Sequence, residues 1–425
     1  MPTFQTTPGT RDILPPQAGR WREFTRVFAS VVEAAGFECF VPPMFEELGV
    51  FQRLGDATDV VTKEMYDFTD KGGRHIALRP EHTASVCRAY AQHRPTPPWK
   101  VWYSGSNFRY EKAQAGRYRQ FDQVGIEALG ADDPQLDVEV IALGWQFYKE
   151  LGLTNVQLLI NSLGDAGDRG RYVEALEVYF RSRLSELSEE AQQTLERNPL
   201  RVLDSKRAQD AAVIADAPSI SQFLSDDATS HFAAVCAGLS ALDVPFVVNE
   251  RLVRGLDYYR RTTFEYIASS LDNAQNAVGG GGRYDGLVED LGGPATPGIG
   301  FALGIDRTLM ACDAEEVFPF GSPTIDVFIV DTVDGTRATA LAHGLRQHGF
   351  AADRAYEGRS MKSQMKAADR SGAGIAVIIG GSEAEDGTCT VRNLSTSEQI
   401  TIPVGELQNH LQSAIGPREP RRRSS

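Results

Sequence analysis

The sequence predicts an α+β chain in two domains. The first, over 1–322, is built on antiparallel strands and carries a helical insertion at 165–240. The second is a small α/β domain at 324–412. Three observations support this. The stretches WKVWYSGSNFRYE and FDQVGIEALG read as strands, and the Gly-, Gln- and Arg-containing EKAQAGRYRQ between them as a loop, giving a hairpin with a long tip. Long loops inside compact domains are often functional. Residues 165–240 are polar and helical in pattern, as in YVEALEVYFRSRLSELSEEAQQTLERN. After the linker Gly321, Ser322 and Pro323, IDVFIVDT, a helical stretch and GIAVIIGG alternate strand, helix, strand, as α/β units do.

The remaining elements follow in order. Apolar residues at Trp21, Phe24, Val27, Phe28, Val31 and Val32 give helical spacing over 17–36, closed by Gly36. FECFVPPMFEEL is strand-like until Pro42 and Pro43 break it. Residues 251–310 are rich in glycine and dense in motifs. The basic tail, 413–425, is expected to be disordered.

Composition limits the function. With 425 residues, 42% of them hydrophobic and 24% charged, the chain can bury a sizeable core. No leader pattern opens it, and no run of about 18 apolar residues occurs. The five cysteines are scattered and form no C-x-x-C, which argues against a disulfide framework or a zinc site. The cytoplasm suits these features. A net charge of −14 argues against nucleic-acid binding, unless a local basic patch outweighs it.

Several familiar sites are missing. There is no G-x-x-x-x-G-K-[ST] and no G-x-S-x-G, and the seven histidines do not cluster at metal-ligand spacing. GIGFALG matches a dinucleotide fingerprint, but it has no βαβ unit around it, so tight strand–helix packing is the better reading. What is present is a set of arginines and acids at strand spacing. Arg109 and Glu111 lie two apart, and Phe121, Gln123, Gly125 and Glu127 share one face of the return strand. An apolar ring, an amide, a gap and a carboxylate on one face suit the floor of a polar pocket.

FRYE followed by GRYRQFDQVGIE resembles motif 2 of the class II aminoacyl-tRNA synthetases. GFECFVPPMFE resembles motif 1, and GIGFALGIDRTLM resembles motif 3. Other segments are similar to those of one amino-acid class: RLVRGLDYYRRTTFEY and GGGGRYDGLV to the two histidine motifs, LRPEHTASVCRAY to the amino-acid-binding segment, TDVVTKEMYDF to a further family segment, and GRSMKSQMKAADRSGAGIAVIIG to the anticodon-binding domain. The chain is thus identified as a member of the histidyl-tRNA synthetase family. The match spans all but the helical insertion and the tail.

This resemblance implies a catalytic antiparallel sheet with flanking helices, histidine activation by ATP, transfer to tRNA, and a homodimer formed through motif 1. It implies Arg109, Arg254 and Arg307 as catalytic cations around the phosphates. Glu81, His82, Thr83, Arg109, Gln123, Glu127, Arg254, Tyr258 and Tyr259 would bind histidine. Arg109, Glu111, Phe121 and Arg307 would bind ATP, with Phe121 and Arg307 on opposite faces of the adenine. Mg2+ is expected with the phosphates, with no protein ligand assigned. Glu81, Thr83 and Gln123 would accept from the α-amino group, and Glu127 and Tyr259 would meet the imidazole. Arg254 could instead pair with Asp257. Tyr258 and Tyr259 would point to opposite faces if extended, so one alone need be functional. Glycines 279–282 could let substrate approach the backbone or could form a flexible turn, with Arg283, Tyr284 and Asp285 structural.

The tRNA would meet Arg117 and Arg119 on the motif 2 loop, with Lys112 nearby. It would also meet Arg359, Lys362, Lys366 and Arg370, which step by three, four and four along one helix face. This stripe answers the objection from net charge. The chain departs from the family pattern at Pro8, at His82 (usually Gly) and at Asp306 (often Glu). Two rivals share the fold. A regulatory paralogue of ATP phosphoribosyltransferase would lack an intact first histidine motif and the anticodon-binding domain. A catalytically dead accessory protein would lack Arg109 or Arg307. This sequence has all four features.

Overall fold

The computed structural model describes residues 4–53, 60–253, 258–271, 276–319 and 325–415. The chain divides into two compact units, Met1–Phe320 and Gly321–Ser425. Arg254 and Asp257, the proposed linker 321–323 and the basic tail from 416 onward lie outside the described residues. So does the start of TDVVTKEMYDF.

The first unit is organised by an eight-stranded sheet. Its strands run in the order Glu38–Cys39, Trp99–Phe108, Gln120–Leu129, Gly298–Gly304, Ala277–Arg283, Arg260–Ala268, Val156–Ser162 and Val247–Val248. The six central strands are antiparallel, and the two-residue strands at either edge add in parallel. Period-two alternation splits strand Gln120–Leu129 between two environments. Val124, Ile126 and Ala128 join the core under helices Gln17–Ala34 and Pro134–Glu150, while Phe121, Gln123 and Glu127 face a cavity. The helix expected over 17–36 ends at Ala34, with Gly36 at φ +81°. Helix Pro134–Glu150 has a strong start signal, since Asp133 caps Gln135 N–H and Pro134 occupies the first turn.

The glycines 279–282 form no flexible turn. They are a strand hydrogen-bonded on both sides, opposite residues 263–266 and 300–303. A Cβ on Gly281 would stand 1.9 Å from the Gly300 carbonyl oxygen, so the backbones approach too closely for any side chain.

The inserted segment has its own small core around Tyr172, Leu176, Phe180 and Val202. Its last helix, Asp226–Ala241, belongs elsewhere. Val235 and Leu239 enter the main core, and a Cβ on Gly238 would touch Val138 at 2.6 Å. A buried charge cluster joins this helix to the sheet. Arg283 is 0% exposed and bonds Asp137 at 2.5 Å, and His231 Nε2 lies 2.8 Å from the same carboxylate. Burial works to raise the Asp137 carboxyl, but the His231 and Arg283 contacts outweigh it and hold it below its ordinary range. Arg283 is thus held in a closed ion cluster, and Asp285 accepts from the Gly298 N–H at 3.3 Å, whereas Tyr284 lines the cavity described below.

In the second unit the strand order is Ala352–Arg354, Val327–Asp331, Ile375–Ile379, Thr388–Asn393 and Gln399–Pro403. The first three strands are parallel and the last two antiparallel. The last helix, Leu407–Ile415, runs three residues beyond the expected edge at 412. Among the described residues, no helix is long and apolar enough to cross a membrane.

Arg283→Ala leaves Asp137 buried beside His231 without its cation. We expect it to destabilise the first unit by about 3–5 kcal/mol, measured by chemical denaturation. A loss below about 1 kcal/mol would refute a structural role for this cluster.

Candidate active site

A cavity of about 820 Å³ opens above the sheet of the first unit. One end is built around Glu127, which is 1% exposed. Its carboxylate accepts from Thr83 Oγ1 at 2.8 Å, from the Tyr103 hydroxyl at 3.1 Å and from the Tyr284 hydroxyl. Burial pushes the Glu127 carboxyl up to about 8, against the pull of the Tyr284 and Thr83 bonds, with the nearby Glu81 adding to the rise. Burial, then the Glu127 charge, pushes the Tyr103 and Tyr284 hydroxyls well above their usual range, so both remain donors. The backbone makes room for this cluster. A Cβ on Gly300 would lie 1.8 Å from Glu127 Oε2, and one on Gly125 would lie 2.4 Å from the Tyr103 hydroxyl.

Glu81, His82 and Thr83 form the next part of the wall, at the start of helix Thr83–His93. Glu81 accepts from the backbone N–H of Thr83 and of Ala84, both at 2.7 Å, so it caps the helix. Burial raises its carboxyl above the ordinary value, against these N–H bonds. Gln123 also lines the cavity, and its Oε1 accepts from Asn107 at 2.7 Å. Tyr258 and Tyr259, which would diverge only if extended, both line the cavity, with hydroxyls 3.4 Å apart and ring centroids at 4.5 Å. Strand Arg260–Ala268 begins after them, so strand alternation does not separate them.

The other end carries three arginines. Arg109, half-buried, bonds the Pro80 carbonyl at 3.0 Å and lies 5.3 Å from the centroid of Phe121. Arg307 donates to the carbonyls of Gly116 and Ala277, each at 3.1 Å. Burial, then the neighbouring Arg117 charge, lowers Arg307 from its usual value, a sign of crowded positive charge. Arg117 lines the cavity too, paired with Glu111. Two expectations change here. Strand Trp99–Phe108 stops before Arg109, and the Glu111 N–H turns back to the Arg109 carbonyl at 2.8 Å. Arg109 and Glu111 therefore do not share a strand face, and Glu111 meets Arg117 instead. Arg117 sits in the cavity wall, while Arg119 stacks over Tyr110 at 3.8 Å and bonds the Glu111 carbonyl.

The family model for histidyl-tRNA synthetase matches residues 9–308, and the model for an anticodon binding domain matches 326–414. The chain belongs to the histidyl-tRNA synthetase family. It is 45% identical over 424 residues to the histidine–tRNA ligase of Geobacillus kaustophilus, covering 98% of this chain and 100% of that one. It is 46% identical over 418 residues to that of Geobacillus thermodenitrificans, covering 96% and 98%. The apo histidyl-tRNA synthetase of S. aureus superposes with a TM-score of 0.81 at 37% identity, over 96% of this chain and 100% of that one. The family's motif segments, read in sequence, thus fall on one cavity: the Glu81 segment, the motif 2 hairpin, Tyr258–Tyr259 and Arg307.

Tyr103 and Tyr284 are contacts that sequence reading missed. Tyr103 follows Val101 and Trp102 on a strand and reads as core. GRYD places Tyr284 beside a structural arginine. Among the described residues, no group of three or more His, Cys, Asp or Glu side chains could hold a metal. Glu265 and Asp306 line the cavity and could each supply one oxygen to an ion held mainly by phosphates.

Glu127 titrates far higher in the folded chain, about 8, than its ordinary value of 4.5. The native state therefore holds a proton that the unfolded chain releases. The associated stability is fully present below pH 4.5 and is lost as pH rises towards about 8. Relative to wild type, Glu127→Gln should flatten the fall in stability across this window, as seen in thermal melts taken at several pH values. Parallel curves would contradict the raised carboxyl.

Proposed function

We propose that this chain is a histidine–tRNA ligase, with its catalytic machinery in the first unit and an anticodon-binding surface in the second. The observation that carries the reading is a single cavity with a hydroxyl-ringed carboxylate, Glu127, at one end and Arg109, Arg117 and Arg307 at the other. The first end suits an imidazole and the second a triphosphate.

The carboxylate oxygen of histidine attacks the α-phosphorus of ATP. The bond from that phosphorus to its bridging oxygen breaks, and pyrophosphate leaves with the electron pair. The terminal ribose hydroxyl of tRNA then attacks the acyl carbon, AMP departs, and the hydroxyl proton is released. Such displacements need positioning and charge neutralisation more than a covalent intermediate. Arg109, beside the Glu81 segment, holds the attacking carboxylate and α-phosphate through its planar fork. Arg307 and Arg117 take the outer phosphates. Phe121, under Arg109, supplies a flat face for adenine, and Glu111 an acceptor for its amino group. Arg254 is assigned as a further phosphate cation on the strength of the motif alone. The Glu127 carboxyl, with Tyr258 and Tyr259 nearby, meets the imidazole. A site of fixed polar groups rejects apolar isosteres strongly. Mg2+ neutralises phosphate charge when bound.

In the second unit Lys362, Lys366 and Arg370 are exposed along helix Met361–Ser371, with Gln364 and Ala368 buried on its other side. Arg359 precedes that helix and pairs with Glu357 at 2.6 Å. The stripe suits tRNA phosphates. Val41, Met44 and Phe45, exposed on the motif 1 segment, suit a second copy of the chain. The cytoplasm, where tRNA is charged, is the proposed location.

ATP–pyrophosphate exchange should occur with histidine and with no other amino acid. Arg109→Ala and Arg307→Ala should each reduce it by roughly 10²–10³-fold, and Arg254→Ala should lose most of it. Absence of exchange with any amino acid, despite histidine binding, would favour a regulatory paralogue. Paired Lys362→Glu and Lys366→Glu substitutions should raise KM for tRNA and leave exchange intact. Equal loss of both activities would remove the stripe from the tRNA surface.

A further inference from the structure

We propose that His82 supplies a further hydrogen-bond acceptor for the α-ammonium group of the bound amino acid, an inference that rests on the histidine-binding reading above. The sequence pattern assigned that group to Glu81, Thr83 and Gln123. In the folded chain each already holds a partner, and only their remaining lone pairs can meet it. Both Glu81 oxygens cap the helix, the Thr83 hydroxyl donates to Glu127, and the Gln123 oxygen accepts from Asn107. An ammonium group has three N–H bonds to place.

His82 sits between Glu81 and Thr83 and lines the same cavity. It is 1% exposed, yet neither ring nitrogen has a hydrogen-bond partner. Buried polar groups are nearly always satisfied, and one that is not calls for a ligand or another explanation. The ring is held in place by stacking on Tyr103, with centroids 4.2 Å apart and planes 5° apart. Its Nε2 stands 3.5 Å from the Cβ position of Gly105, next to the Arg79 guanidinium. That guanidinium is tied to the carbonyls of Pro42, Pro43 and Ser106. Burial, then the Arg79 charge, pushes the His82 ring well below its usual range. The imidazole stays neutral and keeps one lone pair.

The test compares His82→Phe, which keeps a flat ring for Tyr103 but has no nitrogen, with wild type by isothermal titration calorimetry. The ligands are L-histidine, histidinol (no carboxylate) and 3-(imidazol-4-yl)propionate (no amine). The variant should weaken L-histidine and histidinol by roughly 10- to 100-fold, the range for a hydrogen bond to a charged group. It should leave the amine-free ligand within about threefold. His82→Asn, which restores an acceptor, should recover part of the loss and replaces the Phe variant should that one fail to fold, then with a smaller loss confined to the amines. Equal weakening of all three ligands would make His82 a packing residue. Weakening confined to the carboxylate-bearing ligands would assign it to the carboxylate. Either overturns the proposal. Failure of wild type to bind L-histidine would overturn the function itself.

Discussion

A carboxylate buried in the middle of a sheet is the constraint around which the first unit is arranged. Glu127 cannot be taken out of water without partners, and the fold supplies three hydroxyls from three separate segments: Thr83 at a helix start, Tyr103 on the neighbouring strand, and Tyr284 after the glycine strand. Each must be placed within hydrogen-bonding distance, so the cluster ties the helix, the hairpin and the glycine-rich strands into one register. The glycines follow from this. Gly300 and Gly125 have no side chain because Glu127 and Tyr103 fill the space where one would stand. The sheet thus gives up side-chain packing on its open face to hold a polar group.

The opposite face of the same strands pays no such penalty. Val124, Ile126 and Ala128 pack under the helices, and the Arg283–Asp137–His231 cluster pins two of those strands' supports together. Two buried ionic clusters on either side of one sheet do different work. The one around Asp137 is closed, with each charge met by another. The one around Glu127 meets a carboxyl with neutral donors, so its charge state responds to what enters the cavity. At the far end, Arg109, Arg117 and Arg307 gather with Glu111 paired to Arg117, and burial, then the Arg117 charge, lowers Arg307 from its usual value. A cavity with a buried, hydroxyl-bonded carboxyl at one end and three arginines at the other suits a ligand that is basic at one end and anionic at the other.

Much of this was readable in the sequence. Hydrophobic spacing marked the first helix, the Gly- and Arg-bearing loop marked the hairpin, and alternation on the return strand separated Phe121, Gln123 and Glu127 from Val124, Ile126 and Ala128. These are local signals with fixed periods. What failed was an extrapolation of period beyond the end of a strand. Arg109 and Glu111 were given a common face, but the chain turns just after Phe108. Tyr258 and Tyr259 would take opposite faces only if extended, and they lie before their strand begins. The glycine run allowed a turn or a strand, and only pairing on both sides decides which.

The sequence by itself determined the family, the order of elements and most of the residues that gather at the cavity, because motif spacing and side-chain type survive without coordinates. Tertiary structure alone decided which polar groups remain available. Whether Glu81 caps a helix, whether Thr83 and Tyr284 serve one carboxylate, and whether His82 is left without a partner depend on distances between segments far apart in the chain. No local pattern encodes those distances, since they arise only when the sheet closes and each buried donor must find an acceptor.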